Sequence, residues 1–121
     1  MNTNIPYIEN NINLNLLVLR CKNIEISKEF YEKLHLNFKQ EQHGNGFIHY
    51  STQINELVLE LYPLVGNSID NIRLGFKLNV QNLKDYLTSQ NIEIISHYDF
   101  NNSIVYVVLD PDGRKIELQK N

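Results

Sequence analysis

LNLLVLRCKNIEISKEFYEKL, residues 14–34, decides the fold of this chain, because its apolar spacing changes midway. Residues 14–21 have the apolar pattern typical of a strand. Residues 24–34 are instead apolar at every fourth position, as one face of a helix requires. The three residues of this predicted face are Ile26, Phe30 and Leu34. With Asn23 as an N-cap, the stretch predicts a strand that leads directly into a helix.

The segment after this helix predicts three more strands and completes a first structural unit. The strands are assigned to residues 37–42, 47–52 and 56–63, with a Gly-containing turn at residues 43–46. Residues 64–71 are polar, contain one glycine and are interpreted as a linker.

The second half of the chain repeats this order of elements. The prediction is a strand at 72–80, a helix at 81–90, and strands at 92–98, 103–109 and 114–119. A repeat of this kind indicates two equivalent modules. The expected organisation is one compact domain with an N-terminal arm (1–13), a first module (14–63), a linker (64–71) and a second module (72–121).

Each half of the chain places one carboxylate on the strand face that points away from its helix. Because side chains alternate along a strand, Leu59 and Leu61 face the helix while Glu60 faces away. By the same alternation, Leu118 is turned inward and Glu117 outward. The two halves therefore present an acid at matching positions. At the helix exits, His35 and Asn91 are expected to be left-handed, so neither is taken as a ligand.

Composition excludes several classes of function. The chain has 121 residues and a formal net charge of −3, with acids and bases interspersed, so no basic surface predicts nucleic-acid binding. No segment approaches the length of a membrane span, and the polar N-terminus lacks the pattern of a signal peptide. The single cysteine, Cys21, can form no internal disulfide. A cytoplasmic location is expected.

Three motifs carry a resemblance to a known family. They are LVLRCKNIEISKEFYEKLHLNF (17–38), HGNGFIHYSTQINELVLELYP (43–63) and VVLDPDGRKIELQ (107–119). In this order they resemble the vicinal oxygen chelate superfamily, also called the glyoxalase/bleomycin-resistance/dioxygenase family. The resemblance spans residues 14–119 and implies an α+β fold. Its two βαβββ modules would have curled mixed sheets around a cleft, in a chain that forms a homodimer.

The resemblance also implies where a metal ion would lie. Metal-using members of the family hold the ion with one residue from the first and one from the last strand of each module. The matching positions here are Leu16, Glu60, Gly75 and Glu117. Glu60 and Glu117 fit this pattern, whereas Leu16 and Gly75 have no side-chain donor. We expect no cofactor at this incomplete set, with a divalent metal held by the two glutamates as the alternative.

Two interpretations of the paired acids stay open at this point. In the first, Glu60 and Glu117 are neutralised by nearby cations and form a polar cleft without a ligand. The candidate cations are Arg20, Arg73, Lys77 and Lys115. In the second, the acids receive a cationic ligand against an apolar wall. The candidate ligand-binding residues of that pocket are Arg20, Val18, Phe47, Tyr62 and Lys77.

Histidines add one candidate for acid–base chemistry. His49 lies within a predicted strand and could face the cleft, where a histidine beside carboxylates can act as a general base. It joins Glu60 and Glu117 in the candidate catalytic set, although a structural histidine with satisfied hydrogen bonds is the commoner case. His43, in a turn, and His97, at a strand end, are expected at the surface.

Three functions are compatible with these patterns. The favoured hypothesis is a metal-free protein that binds a small cationic or aromatic molecule. The alternative is a metal-dependent lyase, isomerase or dioxygenase that uses Glu60 and Glu117. The third is a scaffold domain without a small ligand. The missing donors at Leu16 and Gly75 favour the first hypothesis over the second.

Overall fold

The computed structural model describes residues 11–121 and contains two modules of five elements each. The first comprises β1 (Leu16–Cys21), α1 (Ile24–Lys33), β2 (Lys39–Glu41), β3 (His49–Ile54) and β4 (Leu57–Pro63). The second comprises β5 (Leu74–Leu78), α2 (Leu83–Ser89), β6 (Ser96–Phe100), β7 (Ser103–Leu109) and β8 (Lys115–Lys120). Of the N-terminal arm, residues 1–10 lie outside the described part of the chain. The boundaries proposed for arm, modules and linker stay predictions.

Each module folds into a four-stranded mixed sheet. The first sheet has the strand order β1-β4-β3-β2, in which β1 pairs with β4 in parallel and the other neighbours are antiparallel. The second sheet, β5-β8-β7-β6, repeats this pattern. Neither sheet closes on itself. The predicted α+β fold of two βαβββ units is confirmed.

The strands alternate between a buried and an outward face. In β4, Leu59 and Leu61 are buried, whereas Glu60 between them is only half-buried. In β8, Leu118 is buried and Glu117 is half-buried. The two glutamates therefore lie on the faces that point away from the core, as the alternation predicts.

Helix α1 begins at the predicted cap, and two of its three predicted inner residues are confirmed, since Leu34 is buried and Phe30 packs against the core. The Asn23 side chain accepts hydrogen bonds from the backbone N–H groups of Glu25 and Ile26. The placement of Ile26 on the apolar face is wrong, because that side chain is 52% exposed. Ser27 and Tyr31 are buried instead. Their hydroxyl groups donate hydrogen bonds to Asp112 and Asp110 of the second module, so this polar face of the helix is buried.

Helix α2 follows the prediction more closely. Asn82 caps it by accepting one backbone N–H group, and Leu83 and Leu87 are buried. At the two helix exits, His35 and Asn91 have φ angles of 73° and 59°, which confirms their left-handed conformation. No helix in the described part of the chain is long and apolar enough to cross a membrane.

The strand predicted at residues 92–98 is wrong in its first half, since β6 begins four residues later. Ile92 leaves α2 by donating its N–H to the Leu87 carbonyl at 3.0 Å, and its side chain is buried. The start of the apolar run therefore packs at the helix end, and the first backbone bond to β7 is donated by the Ile95 N–H to the Val107 carbonyl at 2.8 Å. Asn101 and Asn102 both have positive φ angles and form the hairpin turn into β7. Pairing with β7, not apolar alternation, defines this exposed edge strand.

One hydrophobic core extends across both modules. Its buried members are Leu19, Cys21, Tyr31, Leu34, Tyr50, Leu59 and Leu61 from the first module and Leu78, Leu83, Leu87, Ile92, Val108, Ile116 and Leu118 from the second. The ends of the two helices are also joined by hydrogen bonds. Lys33 Nζ donates to the Gln90 carbonyl at 3.0 Å, and Tyr86 Oη donates to the Lys33 carbonyl at 2.6 Å.

A tight turn before β8 makes the main polar connection between the modules. The buried Arg114 guanidinium donates to the carboxylates of Asp110 at 3.1 Å and Asp70 at 2.9 Å. It also donates to the Arg20 carbonyl of β1 at 2.6 Å. We call Asp110, Asp112 and Arg114 the clamp. Its buried charges pair with one another and with Asp70. The first module adds uncharged partners, namely the Arg20 carbonyl and the Ser27 and Tyr31 hydroxyls.

Candidate functional site

The outward face of the first sheet brings several candidate residues together. Cross-strand register places Glu60 of β4 between Val18 of β1 and Ser51 of β3. Two residues further along, Tyr62 pairs with Arg20, whose guanidinium carbon lies 4.9 Å from the Tyr62 ring centre. Three candidate ligand-binding residues therefore share one face with Glu60.

A group of acids and histidines lies at the edge of this sheet, on the hairpin between β2 and β3. Glu41 is the last residue of β2 and pairs directly with His49, the first residue of β3. His43 lies in the turn between them and is exposed. One ligand atom from each of these three residues lies within 4.8 Å of the other two. We call Glu41, His43 and His49 the edge cluster.

His49 is the buried centre of the edge cluster, with 0% of its surface exposed. Its Nδ1 lies 3.1 Å from the Phe47 carbonyl oxygen, and because a carbonyl only accepts, we assign the ring proton to Nδ1. Nε2 then faces Glu41 Oε1 at 3.4 Å and Glu60 Oε2 at 3.5 Å. Tyr62 stacks on the imidazole with 4.1 Å between ring centres, and its hydroxyl lies 3.3 Å from Nε2. This geometry suits either a proton or a metal cation on Nε2.

A cavity of about 530 Å³ lies beside Glu60 on the outward face. Glu41 and Glu60 both line it, and Phe38 and Val58 form an apolar part of its wall. Lys39 also lines the cavity, with its ammonium group 3.4 Å from Glu41, but its side chain is 76% exposed. The cavity therefore combines two partly buried carboxylates with apolar surface.

Glu117 in the second sheet is already paired. Its carboxylate accepts hydrogen bonds from the Tyr98 hydroxyl and from the Arg73 guanidinium. The Tyr98 bond and the Arg73 charge hold the pKa of Glu117 below its ordinary value, and the same bond raises the pKa of Tyr98. Arg73 is thus the cation that neutralises this acid.

The four positions that the resemblance assigns to a metal ion do not form a metal-binding site. Leu16 and Gly75 offer no side-chain donor, and Glu117 is engaged by an arginine. A Cβ atom at Gly75 would meet only the Glu117 carbonyl, at 3.8 Å, so the missing donor reflects the residue type rather than a lack of space. Glu60 and Glu117 belong to different sheets, and the contacts described for the two side chains involve different residues.

The remaining candidates divide between the two modules. His49 lies against Glu60, whereas Glu117 and Lys77 line a separate cavity of about 250 Å³ on the second sheet. Phe47 is 54% exposed and contributes its backbone carbonyl to His49 rather than an apolar wall. Their proposed roles in catalysis and ligand binding stay predictions.

Two members of the edge cluster, Glu41 and His43, were not predicted as site residues from the sequence. His43 is exposed, as expected, yet its ring centre lies 5.2 Å from that of His49. Glu41 was assigned to a strand but to no site. The available signal was the strand pairing: a hairpin closed by the turn at residues 43–46 can bring Glu41 opposite His49.

Several solved structures have the same fold as this chain. A glyoxalase family protein from Enterococcus faecalis is 22% identical, with a TM-score of 0.63 over 89% of this chain and 97% of that one. Lactoylglutathione lyase from Agrobacterium tumefaciens is 12% identical, with a TM-score of 0.67 over 93% and 95%. Oxidase ChaP-H2 is 16% identical, with a TM-score of 0.71 over 92% and 94%. The resemblance predicted from the motifs is confirmed for the fold.

No protein-family model matches the sequence, and a comparison with curated proteins gave no match. The similar structures are consistent with the vicinal oxygen chelate superfamily, but such low identities show the architecture alone. Because one fold can support unrelated chemistries, function must be argued from the side chains.

Proposed function

We propose that this protein binds a small cationic molecule with an apolar part in the cavity beside Glu60. In this proposal no metal ion is needed at the four positions implied by the resemblance. The observation that carries the proposal is the shared lining of one cavity by Glu41, Glu60, Phe38 and Val58.

Charge supports a cationic ligand. The side chains of Glu41 and Glu60 are only 26% and 15% exposed, so their carboxylates are partly removed from water. A carboxylate that is partly removed from water favours a cation as its binding partner. Lys39 supplies one exposed positive charge for two acids. A ligand cation in the cavity would complete the neutralisation.

Shape and polarity agree with this chemistry. The volume of about 530 Å³ falls within the range of small-molecule sites. Phe38 and Val58 can contact an apolar ring or chain, while the carboxylates lie on the same sheet face. A ligand such as an aryl amidine or aryl ammonium has both parts.

Isothermal titration with benzamidine and benzamide tests the proposal, because the two probes have nearly the same shape and differ in charge. We expect benzamidine to bind at least tenfold more tightly, a difference of about 1.4 kcal/mol. Glu60→Gln should remove most of this preference. Glu56→Gln is the matched control, since Glu56 is exposed in the turn between β3 and β4 and does not line the cavity.

Two results would overturn the proposal. One is equal affinity for benzamide and benzamidine, which would mean that the carboxylates do not select charge. The other is the absence of binding across a wider panel of aryl and alkyl cations, which would favour a scaffold domain without a small ligand.

Metal-dependent chemistry of the lyase, isomerase or dioxygenase type is the second candidate function. The observation that favours it is the edge cluster, in which two imidazoles and a carboxylate lie within ligand reach of one another. Two histidines with one carboxylate form a known set for transition-metal enzymes. The four positions implied by the resemblance do not supply that set.

A further inference from the structure

We propose that Glu41, His43 and His49 bind one divalent transition-metal ion at the edge of the first sheet. This site differs from the four positions implied by the resemblance, of which only Glu60 lies nearby. Its ligand atoms come within 4.8 Å of one another without any rearrangement of the backbone. The site shares Glu41 with the cavity of the proposed function, and the test below is therefore run without organic ligand.

Local folding explains why the three side chains meet. The hairpin register pairs Glu41 with His49 across β2 and β3, so both side chains project from the same face. The turn at residues 43–46 is closed by a hydrogen bond from the Gly46 N–H to the His43 carbonyl at 2.9 Å. This turn places His43 next to the paired residues Glu41 and His49. Two ligands therefore come from the ladder and one from the turn.

Orientation of the buried imidazole is the strongest argument for a cation. The Nδ1–H of His49 donates to the Phe47 carbonyl, the kind of bond that commonly orients metal-binding histidines. The Nε2 lone pair consequently faces the carboxylate oxygens of Glu41 and Glu60. A lone pair directed at two anions is unfavourable unless a positive charge lies between them. The Tyr62 hydroxyl supplies one hydrogen bond to Nε2 but no charge.

Two distances in and beside the site agree with those of a metal polyhedron. Ligands about 2.1 Å from a zinc ion at the corners of a tetrahedron are about 3.4 Å apart. The Nε2 of His49 lies 3.4 Å from Glu41 Oε1 and 3.5 Å from Glu60 Oε2. One metal ion can therefore fit among Nε2 of His49 and these two carboxylate oxygens. The ligand atom of His43 lies within 4.8 Å of those of Glu41 and His49 and would join the ion by a side-chain adjustment.

The proximity of a second histidine favours a metal ion. The His43 ring centre lies 5.2 Å from that of His49, so one ion can engage both imidazoles. Two imidazole nitrogens and a carboxylate favour Zn²⁺, Ni²⁺, Co²⁺ or Fe²⁺ over Mg²⁺ and Ca²⁺, which prefer all-oxygen sites. The ion expected is therefore one of the former group.

Equilibrium dialysis and isothermal titration of the tag-free full chain with Zn²⁺ test this site in the absence of organic ligands. We expect one equivalent of Zn²⁺ per chain and at least 100-fold weaker binding of Mg²⁺ and Ca²⁺. Co²⁺ should give a visible absorption spectrum that Zn²⁺ removes. His43→Ala should weaken Zn²⁺ binding at least tenfold and, because His43 is exposed, should leave the fold intact.

Two control variants make the test specific. His97→Ala removes an exposed histidine of the second module and should leave Zn²⁺ affinity unchanged. Glu117→Gln should also leave it unchanged, because Glu117 lies in the other sheet. The proposal is overturned if no stoichiometric Zn²⁺ binds, if His43→Ala binds as well as the parent, or if Glu117→Gln abolishes binding. None of these outcomes depends on whether benzamidine binds.

Discussion

The Tyr31 hydroxyl donates to Asp110 Oδ2 at 2.6 Å, which ties the first helix to the turn before the last strand. Both residues are buried, and 79 positions separate them in the chain. Burial and then the Asp110 charge raise the pKa of Tyr31 far above its ordinary value, so the hydroxyl remains a donor. The two modules are thus joined by a buried polar contact inside a shared apolar core.

Tyr31→Phe should destabilise the protein by about 1–3 kcal/mol, because it removes a hydrogen bond to a buried carboxylate. Urea denaturation measures this loss. Tyr106→Phe is the matched control, since Tyr106 packs against the core and its hydroxyl has no hydrogen-bond partner among residues 11–121. Equal stability of the Tyr31→Phe variant and the parent would show that the contact contributes nothing.

Arg114→Met should cost about 3–5 kcal/mol, because it leaves Asp110 buried without its cation. Arg114→Lys should recover only part of the loss, since a lysine cannot reproduce the forked bonds to Asp110 and Asp70. A double-mutant cycle with Asp110→Asn measures the coupling, which we expect to be far from additive. Additive effects would contradict a joint role for these residues.

Acid should weaken the contact between Asp70 and Arg114. The hydrogen bond from Arg114 lowers the pKa of Asp70 below its ordinary value. A lowered folded-state pKa stabilises the protein above the unfolded pKa, and this contribution is lost as the pH falls through the folded pKa. The difference in Tm between the parent and Asp70→Asn should be constant from about pH 7 to 5 and shrink below about pH 4. A difference that persists undiminished below pH 3 would refute this linkage.

The two helix caps should differ in strength. Asn23 accepts two backbone N–H groups, whereas Asn82 accepts one. Asn23→Ala should therefore cost about 1 kcal/mol and Asn82→Ala less than that. Thermal denaturation of the two variants under identical conditions gives the comparison, and a larger loss for Asn82→Ala would reverse the ranking.

Cys21 should be unreactive in the native protein. Its side chain is fully buried, its Sγ donates to the Leu19 carbonyl, and burial raises its pKa, so little thiolate is present near neutral pH. A thiol reagent such as Ellman's reagent should react only after urea is added. Rapid stoichiometric reaction without denaturant would indicate an open route to this position.

The order of elements could be predicted because it depends on local periodicity. The strand–helix transition at Asn23 and the left-handed residue His35 are properties of neighbouring residues. The burial of Tyr31 on α1 could not be predicted, because its hydrogen-bond partner lies 79 positions away. The start of β6 likewise depends on pairing with β7 rather than on its own apolar residues.

The site could be predicted only in part. Comparison of the two halves identified Glu60 and Glu117, since both follow the same alternation. The edge cluster requires the exact pairing of Glu41 with His49, and a short polar strand such as β2 does not fix its own register. The homodimer implied by the resemblance stays a prediction.

The separation between helix α1 and the clamp along the chain has a consequence for biosynthesis. Asp110, which accepts the Tyr31 hydroxyl, is translated 79 residues after Tyr31. While those residues are being synthesised, Ser27 and Tyr31 lack the carboxylates that bond to them in the folded protein. We expect the first module to remain incompletely folded until the clamp has been synthesised, so that both modules mature together.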